Sequence, residues 1–238
     1  MIRIFSITVS VWYLLLSCSK KNEDIGMGAN VTVGVPVTTA KTYLALGDSY
    51  TIGQSVTETE RYPVQTTALL NKDSIIFSSP EIIAQTGWTT GDLLSRLATS
   101  PPKNSTYDIV TLLIGVNNQY QGLPQSDYSS QFSNLLNKAI VYAGNNKNHV
   151  VVLSIPDYSV TPFANGSDKA RIAREIDEFN AINKSIADNA GVKYLNITAS
   201  SRMAATDPTL ITYDGLHPSG KEYKKWSDSL SVIIRSTL

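Results

Sequence analysis

The chain has 238 residues, 42% of them hydrophobic, and twenty basic side chains that cancel twenty acidic ones. That length suits one compact domain with a full core. The charge balance excludes the basic stripe of a nucleic-acid binder and an electrostatic hold on anionic lipid. Cys18 is the single cysteine, which excludes an intramolecular disulfide, and the two histidines, His149 and His217, form no Cys/His cluster. No metal site is expected from that set.

Arg3 opens the chain's first apolar run, Ile4 to Leu16. The run is short for a bilayer span but suits the core of a signal peptide. It ends in Leu15-Leu16-Ser17-Cys18, which resembles a bacterial lipobox. Residues 1–17 are therefore expected to be a lipoprotein signal peptide, with Cys18 as the lipid attachment point. Ser19 follows, where an aspartate would hint at inner-membrane retention. The expected location is beyond the inner membrane, anchored by lipid in the outer membrane, facing periplasm or surface. Residues 18–40 read as a tether, polar at first and then interrupted by Gly26, Gly28, Gly34 and Pro36.

From residue 41 to 238 one domain is expected, and its segments alternate. Thr42–Leu46 is a short apolar strand ending at Gly47, and Tyr62–Leu70 is helix-like. Glu81–Ala84 is a second strand, and Thr90–Thr99 a helix with Leu93, Leu94 and Leu97 on one side. Ile109–Ile114 and Val150–Ile155 are continuous apolar runs, the pattern of strands buried on both faces. Tyr128–Tyr142 has helical spacing between them. Asp168–Asn189 is a long amphipathic helix, with Ile172, Ile176, Phe179, Ile182 and Ile186 at steps of three or four. Val192–Ile197 supplies the last strand and Ser219–Ile234 a closing helix. The alternation predicts a three-layer α/β/α sandwich around a parallel sheet of five strands. In such sheets, sites form beyond the carboxyl ends of the strands.

The first of those ends carries Gly47-Asp48-Ser49-Tyr50. A serine where a strand turns into a helix is either a cap or an exposed hydroxyl beside free backbone N–H groups. Near the C-terminus, Asp214-Gly215-Leu216-His217-Pro218 sets a carboxylate three residues before a histidine. A hydroxyl needs a base to become a nucleophile near neutral pH, and imidazole is the side chain suited to it. The imidazole needs a group that fixes its tautomer, and Asp214 is close enough in sequence to serve. Asp48 is expected to bond backbone within its turn, and His149 to be structural.

These segments resemble the SGNH/GDSL hydrolase superfamily, which is defined by a Ser, a Gly, an Asn and a His in separate blocks. The blocks correspond to Gly47-Asp48-Ser49-Tyr50, to Gly87 in Gln85-Thr86-Gly87-Trp88-Thr89, to Gly115-Val116-Asn117-Asn118, and to Asp214-Gly215-Leu216-His217-Pro218. They run in the family's order, and the resemblance spans residue 42 to the C-terminus. It implies a flavodoxin-like fold and ester hydrolysis through an acyl-serine, without cofactor. Ser49 would be the nucleophile, His217 the general base and Asp214 its orienting acid. The backbone N–H groups of Ser49 and Gly87 and the Asn117 amide would form the oxyanion hole, with glycine at 87 allowing close approach. One residue departs from the pattern: Asn118 stands where the family usually has aspartate. Asn118, Gln119, Tyr120, Tyr158 and Phe163 are candidates to line the pocket.

The expected substrate is a small-molecule or glycan ester with a short acyl group, such as acetyl on carbohydrate, because the loops are short and polar and supply no apolar lid. A lysophospholipase or thioesterase, an acyltransferase, and a catalytically silent glycan-binding surface lipoprotein are the alternatives. Contact with a membrane is expected only through the N-terminal anchor.

Overall fold

The computed structural model describes residues 39–238, so the expected signal peptide, the lipidation residue Cys18 and almost all of the tether lie outside the described residues. In chain order the main elements are Tyr43–Gly47 (β1), Ser49–Ile52 (α1), Tyr62–Lys72 (α2), Glu81–Ala84 (β2), Thr90–Thr99 (α3), Ile109–Leu113 (β3) and Val116–Tyr120 (α4). Gln125–Tyr142 (α5), Val150–Leu153 (β4), Lys169–Ala190 (α6), Lys193–Leu195 (β5), Thr198–Ser201 (α7) and Gly220–Arg235 (α8) complete them.

The five strands pair in parallel in the order β2-β1-β3-β4-β5. The chain steps one way from β1 to β2 and the opposite way for every later strand. Right-handed crossovers therefore put α2 on one face and α3, α5 and α6 on the other. The closing helix α8 packs against α2, which completes the expected three layers. The strand order reverses between β1 and β3, and such a reversal opens a crevice beyond the carboxyl ends. Two short helices, α1 after β1 and α4 after β3, start at that crevice.

Burial explains the strand sequences. Leu44, Leu46, Ile109 and Leu112 are fully covered. Thr111 interrupts the apolar run of β3 because its hydroxyl meets the buried phenols of Tyr43 at 3.0 Å and Tyr62 at 3.3 Å. On α6, Ile172, Ile176 and Phe179 are buried. Each such side chain contributes roughly 1.5–3 kcal/mol when fully covered.

Strands β3, β4 and β5 are shorter than their apolar runs. The Ser154 N–H still donates to the Leu195 carbonyl at 3.0 Å, and at Ile155 the Asn180 side chain takes over the hydrogen bonding. Asn180 Oδ1 accepts from the Ile155 N–H at 2.7 Å, and its Nδ2 donates to the Ile155 carbonyl at 3.0 Å. A side chain from α6 thus replaces a ladder that the hydropathy pattern would extend. Among the described residues no helix is long and apolar enough to cross a membrane.

Candidate active site

Asp48 caps α1, its Oδ1 accepting the Tyr50 N–H at 3.0 Å, as expected of a turn aspartate. Ser49 is therefore the first residue of that helix, where a backbone N–H has no intrahelical acceptor. Burial pushes the Asp48 carboxyl up to about 7, although the backbone amides of Tyr50, Asp48 and Gly115 favour its charge. A folded-state value above the ordinary 3.8 means that the stability contributed by this group is complete at low pH and is lost as pH rises through about 7. Asp48→Asn keeps the acceptor and cannot ionise. Its melting temperature relative to the parent is expected to climb between about pH 4 and about pH 8. Thermal melts across that range check this; a difference that stays flat or shrinks rules it out.

The Asp214 loop holds its histidine from several sides. Asp214 Oδ2 lies 2.7 Å from His217 Nδ1. Oδ1 accepts from the Leu216 N–H at 2.8 Å, the His217 N–H at 2.9 Å and the Thr212 hydroxyl at 2.7 Å. The Ser55 hydroxyl donates to Oδ2 at 2.6 Å. Burial works against the charge on Asp214, but the donors from Ser55, His217, Leu216 and Thr212 outweigh it and hold the carboxyl well below the usual carboxylate range. An ionised Oδ2 only accepts, so Nδ1 carries the proton and Nε2 is left as the basic nitrogen. The Tyr50 ring packs 5.5 Å from the imidazole, centre to centre.

Ser49, His217 and Asn117 face a common cavity of about 90 Å³. Val116 and Leu216 give it an apolar wall, and Tyr120, Tyr158 and Phe163 stand at its side. Ser49 Oγ and His217 Nε2 share that space without a direct hydrogen bond. Such contacts are often long before substrate is in place and tighten in the complex.

Asn117 Nδ2 donates to the Trp88 carbonyl at 2.9 Å, which leaves its second N–H for a ligand. Gly87 precedes Trp88 in an exposed turn, and its N–H donates no hydrogen bond among the described residues. It is not part of the cavity wall. A Cβ at 87 would meet no protein atom within 4 Å and φ is +85°, so within the protein the turn, and not a close approach of other atoms, requires glycine. At Gly115 both reasons hold: φ is +133°, and a Cβ would lie 2.6 Å from Tyr128 Cε2.

The departure at Asn118 has a structural account. The residue is fully buried and points away from the cavity, toward the start of α3. Its Oδ1 accepts from the Thr90 N–H at 3.0 Å, and its Nδ2 donates to the Thr90 hydroxyl at 2.8 Å. That leaves the Thr90 proton for Gln131 Oε1, 2.5 Å away. An aspartate could not donate, so the relay as it stands uses an amide. His149 sits just before β4, at the amino end of the sheet and away from the cavity.

Two supports of the site were not read from the sequence. Ser55 adopts φ +66°, unusual for a residue with a side chain, and reaches Asp214 across 159 positions. Thr212 bonds the same carboxylate from two residues away. Neither belongs to a recognisable spacing.

The sequence profile of the GDSL-like lipase/acylhydrolase family matches residues 45–225. No curated protein matches the chain in sequence. Among solved structures, TesA aligns with a TM-score of 0.63 at 17% identity, covering 83% of this chain and 100% of its own. The esterase EstA from Pseudoalteromonas sp. aligns with a TM-score of 0.58 at 20% identity, covering 82% and 97%. Axe2, an acetyl-xylooligosaccharide esterase from Geobacillus, aligns with a TM-score of 0.63 at 18% identity, covering 82% and 94%. At these identities the likeness is one of fold.

Proposed function

The chain belongs to the GDSL-like lipase/acylhydrolase family and is a carboxylic ester hydrolase, and from that premise we propose that it removes short acyl groups, such as acetyl, from a carbohydrate alcohol through an acyl-Ser49 intermediate. The observation that carries this reading is the cavity of about 90 Å³ where Ser49, His217 and Asn117 meet. An apolar cavity of about 150 Å³ takes a benzene ring, so this one suits roughly two to four carbons.

The steps follow from the donors and acceptors in place. Ser49 Oγ attacks the ester carbonyl carbon while His217 Nε2 takes its proton. The negative oxygen that forms is met by the second N–H of Asn117 and by the Ser49 amide, donors fixed before the charge develops. The bond to the alcohol breaks as Nε2 returns the proton to the departing oxygen. Water then gives its proton to Nε2 and attacks the acyl-serine. The acid leaves, and the proton goes back to Ser49 Oγ. Asp214 stays ionised throughout and stabilises the imidazolium. Axe2, named for acetyl-xylooligosaccharides, shares the fold and is consistent with an acetylated glycan.

On p-nitrophenyl esters from acetyl to dodecanoyl, kcat/KM is expected to peak between acetyl and butyryl. It should fall about tenfold or more by octanoyl, since a misfit of one or two methylenes changes such ratios by roughly 10–200-fold. A maximum at octanoyl or beyond would replace this reading with that of a lipid hydrolase.

A further inference from the structure

Beside the catalytic cavity lies a larger hollow, of about 600 Å³, which the reaction steps do not use. Tyr120, Tyr158 and Phe163 belong to the walls of both. Tyr120 is 58% exposed and Phe163 44% exposed. Their rings lie 5.9 Å apart, and Tyr158 stands near edge-on to each, at 6.3 Å and 6.1 Å. Rings of that size normally cover themselves; here Tyr120 and Phe163 stay about half exposed in the hollow's wall, while Tyr158 is buried behind them.

Polar groups from α6, from the end of α4 and from the start of α5 line the rest. Glu175 Oε2 accepts from Gln119 Nε2 at 2.7 Å, and Gln119 Oε1 accepts from the Tyr158 hydroxyl at 3.0 Å. Glu178 Oε2 accepts from Gln125 Nε2 at 2.8 Å. Arg171 lies 3.9 Å from Glu175. These planar groups are held against one another, and each keeps lone pairs or N–H bonds for a ligand.

The chemistry selects an occupant. One guanidinium against two carboxylates gives no cationic site for a phosphate, and amides and carboxylates offer poor cover for an acyl tail. A pyranose ring has C–H faces that suit the negative face of an aromatic ring, and hydroxyls that suit carboxylates and amides. We propose that this hollow is a subsite for a neutral oligosaccharide, holding the alcohol side of the ester while the acyl group enters the smaller cavity. The proposal rests on the ester-hydrolase reading for its orientation, but not for the binding itself.

Calorimetric titration of the Ser49→Ala protein with xylotetraose, cellotetraose, N,N′,N″,N‴-tetraacetylchitotetraose and glycerophosphocholine tests it without turnover. At least one tetrasaccharide is expected to bind with a Kd below about 1 mM, and Tyr120→Ala or Glu178→Ala in the same background to weaken it about tenfold or more. Both side chains are exposed, so their loss leaves the core intact. Absence of tetrasaccharide binding overturns the proposal. So does binding that neither substitution weakens, or binding of glycerophosphocholine in place of the sugars. Turnover of p-nitrophenyl acetate by the parent, measured alongside, separates the two readings. Turnover without sugar binding leaves the hydrolase reading standing and removes the subsite. Sugar binding without turnover does the reverse.

Discussion

Ser49→Ala is expected to lower kcat on p-nitrophenyl acetate by roughly four to six orders of magnitude, and His217→Ala by as much. The two act as one unit: without the base, the hydroxyl keeps its proton, and without the hydroxyl, the base has nothing to activate. The double variant should therefore be no slower than either single one. Residual rate above water would come from Asn117 and the backbone amides alone. The substitution at 49 is also well suited structurally, because Ser49 is only 5% exposed and its hydroxyl makes no hydrogen bond whose loss would unsettle the loop.

Asp214→Asn makes the same argument through geometry. An asparagine retains one oxygen, which can still accept from the Leu216 and His217 amides. The group facing Nδ1 would then be an NH2, which can only donate. It would force the proton onto Nε2 and leave no base toward Ser49. A loss of roughly a thousand- to ten-thousandfold in kcat is the expected pattern, with a lowered melting temperature because the charged acceptor of these donors is gone. Steady-state kinetics on purified, folded variants decide it. Retention of more than a few per cent of parent activity in Ser49→Ala or His217→Ala would mean that another group is the nucleophile or base.

What the sequence made legible, and what it hid, divides along a physical line. Ser49 and Asn117 sit in the first turns of α1 and α4, right after strand ends, and the Asp214–His217 pair in the loop before the closing helix, where spacing along the chain nearly fixes their positions. Asp214 and His217 need only one turn to meet, so three residues suffice to predict the 2.7 Å contact. Ser55 could not be found that way, because its contact depends on the path of two loops remote in sequence. The partner of Asn118 was hidden for the same reason: Thr90 reaches it, and Gln131 reaches Thr90, only once α3 packs beside α4 and α5. The larger hollow left no pattern either. Arg171, Glu175 and Glu178 lie on the polar side of an amphipathic helix, and only the folded chain brings Tyr120 and Phe163 to the same hollow. Strand length failed at Ile155, where apolar residues continue but the backbone partner has become the side chain of Asn180.

Asn117→Ala is expected to reduce kcat by roughly a hundred- to a thousandfold, the usual effect of removing one donor from a developing oxyanion. The structure already constrains this side chain. Its bond to the Trp88 carbonyl identifies the nitrogen side of the amide and fixes its rotation. No reorganisation is then needed when the carbonyl oxygen of the substrate takes on charge. Because the interaction strengthens only in the transition state, kcat and kcat/KM should fall together while KM changes little. Asn117→Asp is expected to be worse than alanine, since a carboxylate would face both the Trp88 carbonyl and the oxyanion. A phosphonate that forms a covalent adduct on Ser49 mimics the same charge, and its inactivation rate should drop in parallel with kcat across the parent, alanine and aspartate proteins. Loss of kcat with an unchanged inactivation rate, or a loss in Asn117→Ala smaller than about threefold, would show that the oxyanion is held by the backbone amides and that Asn117 serves only to tie α4 to the turn at Trp88.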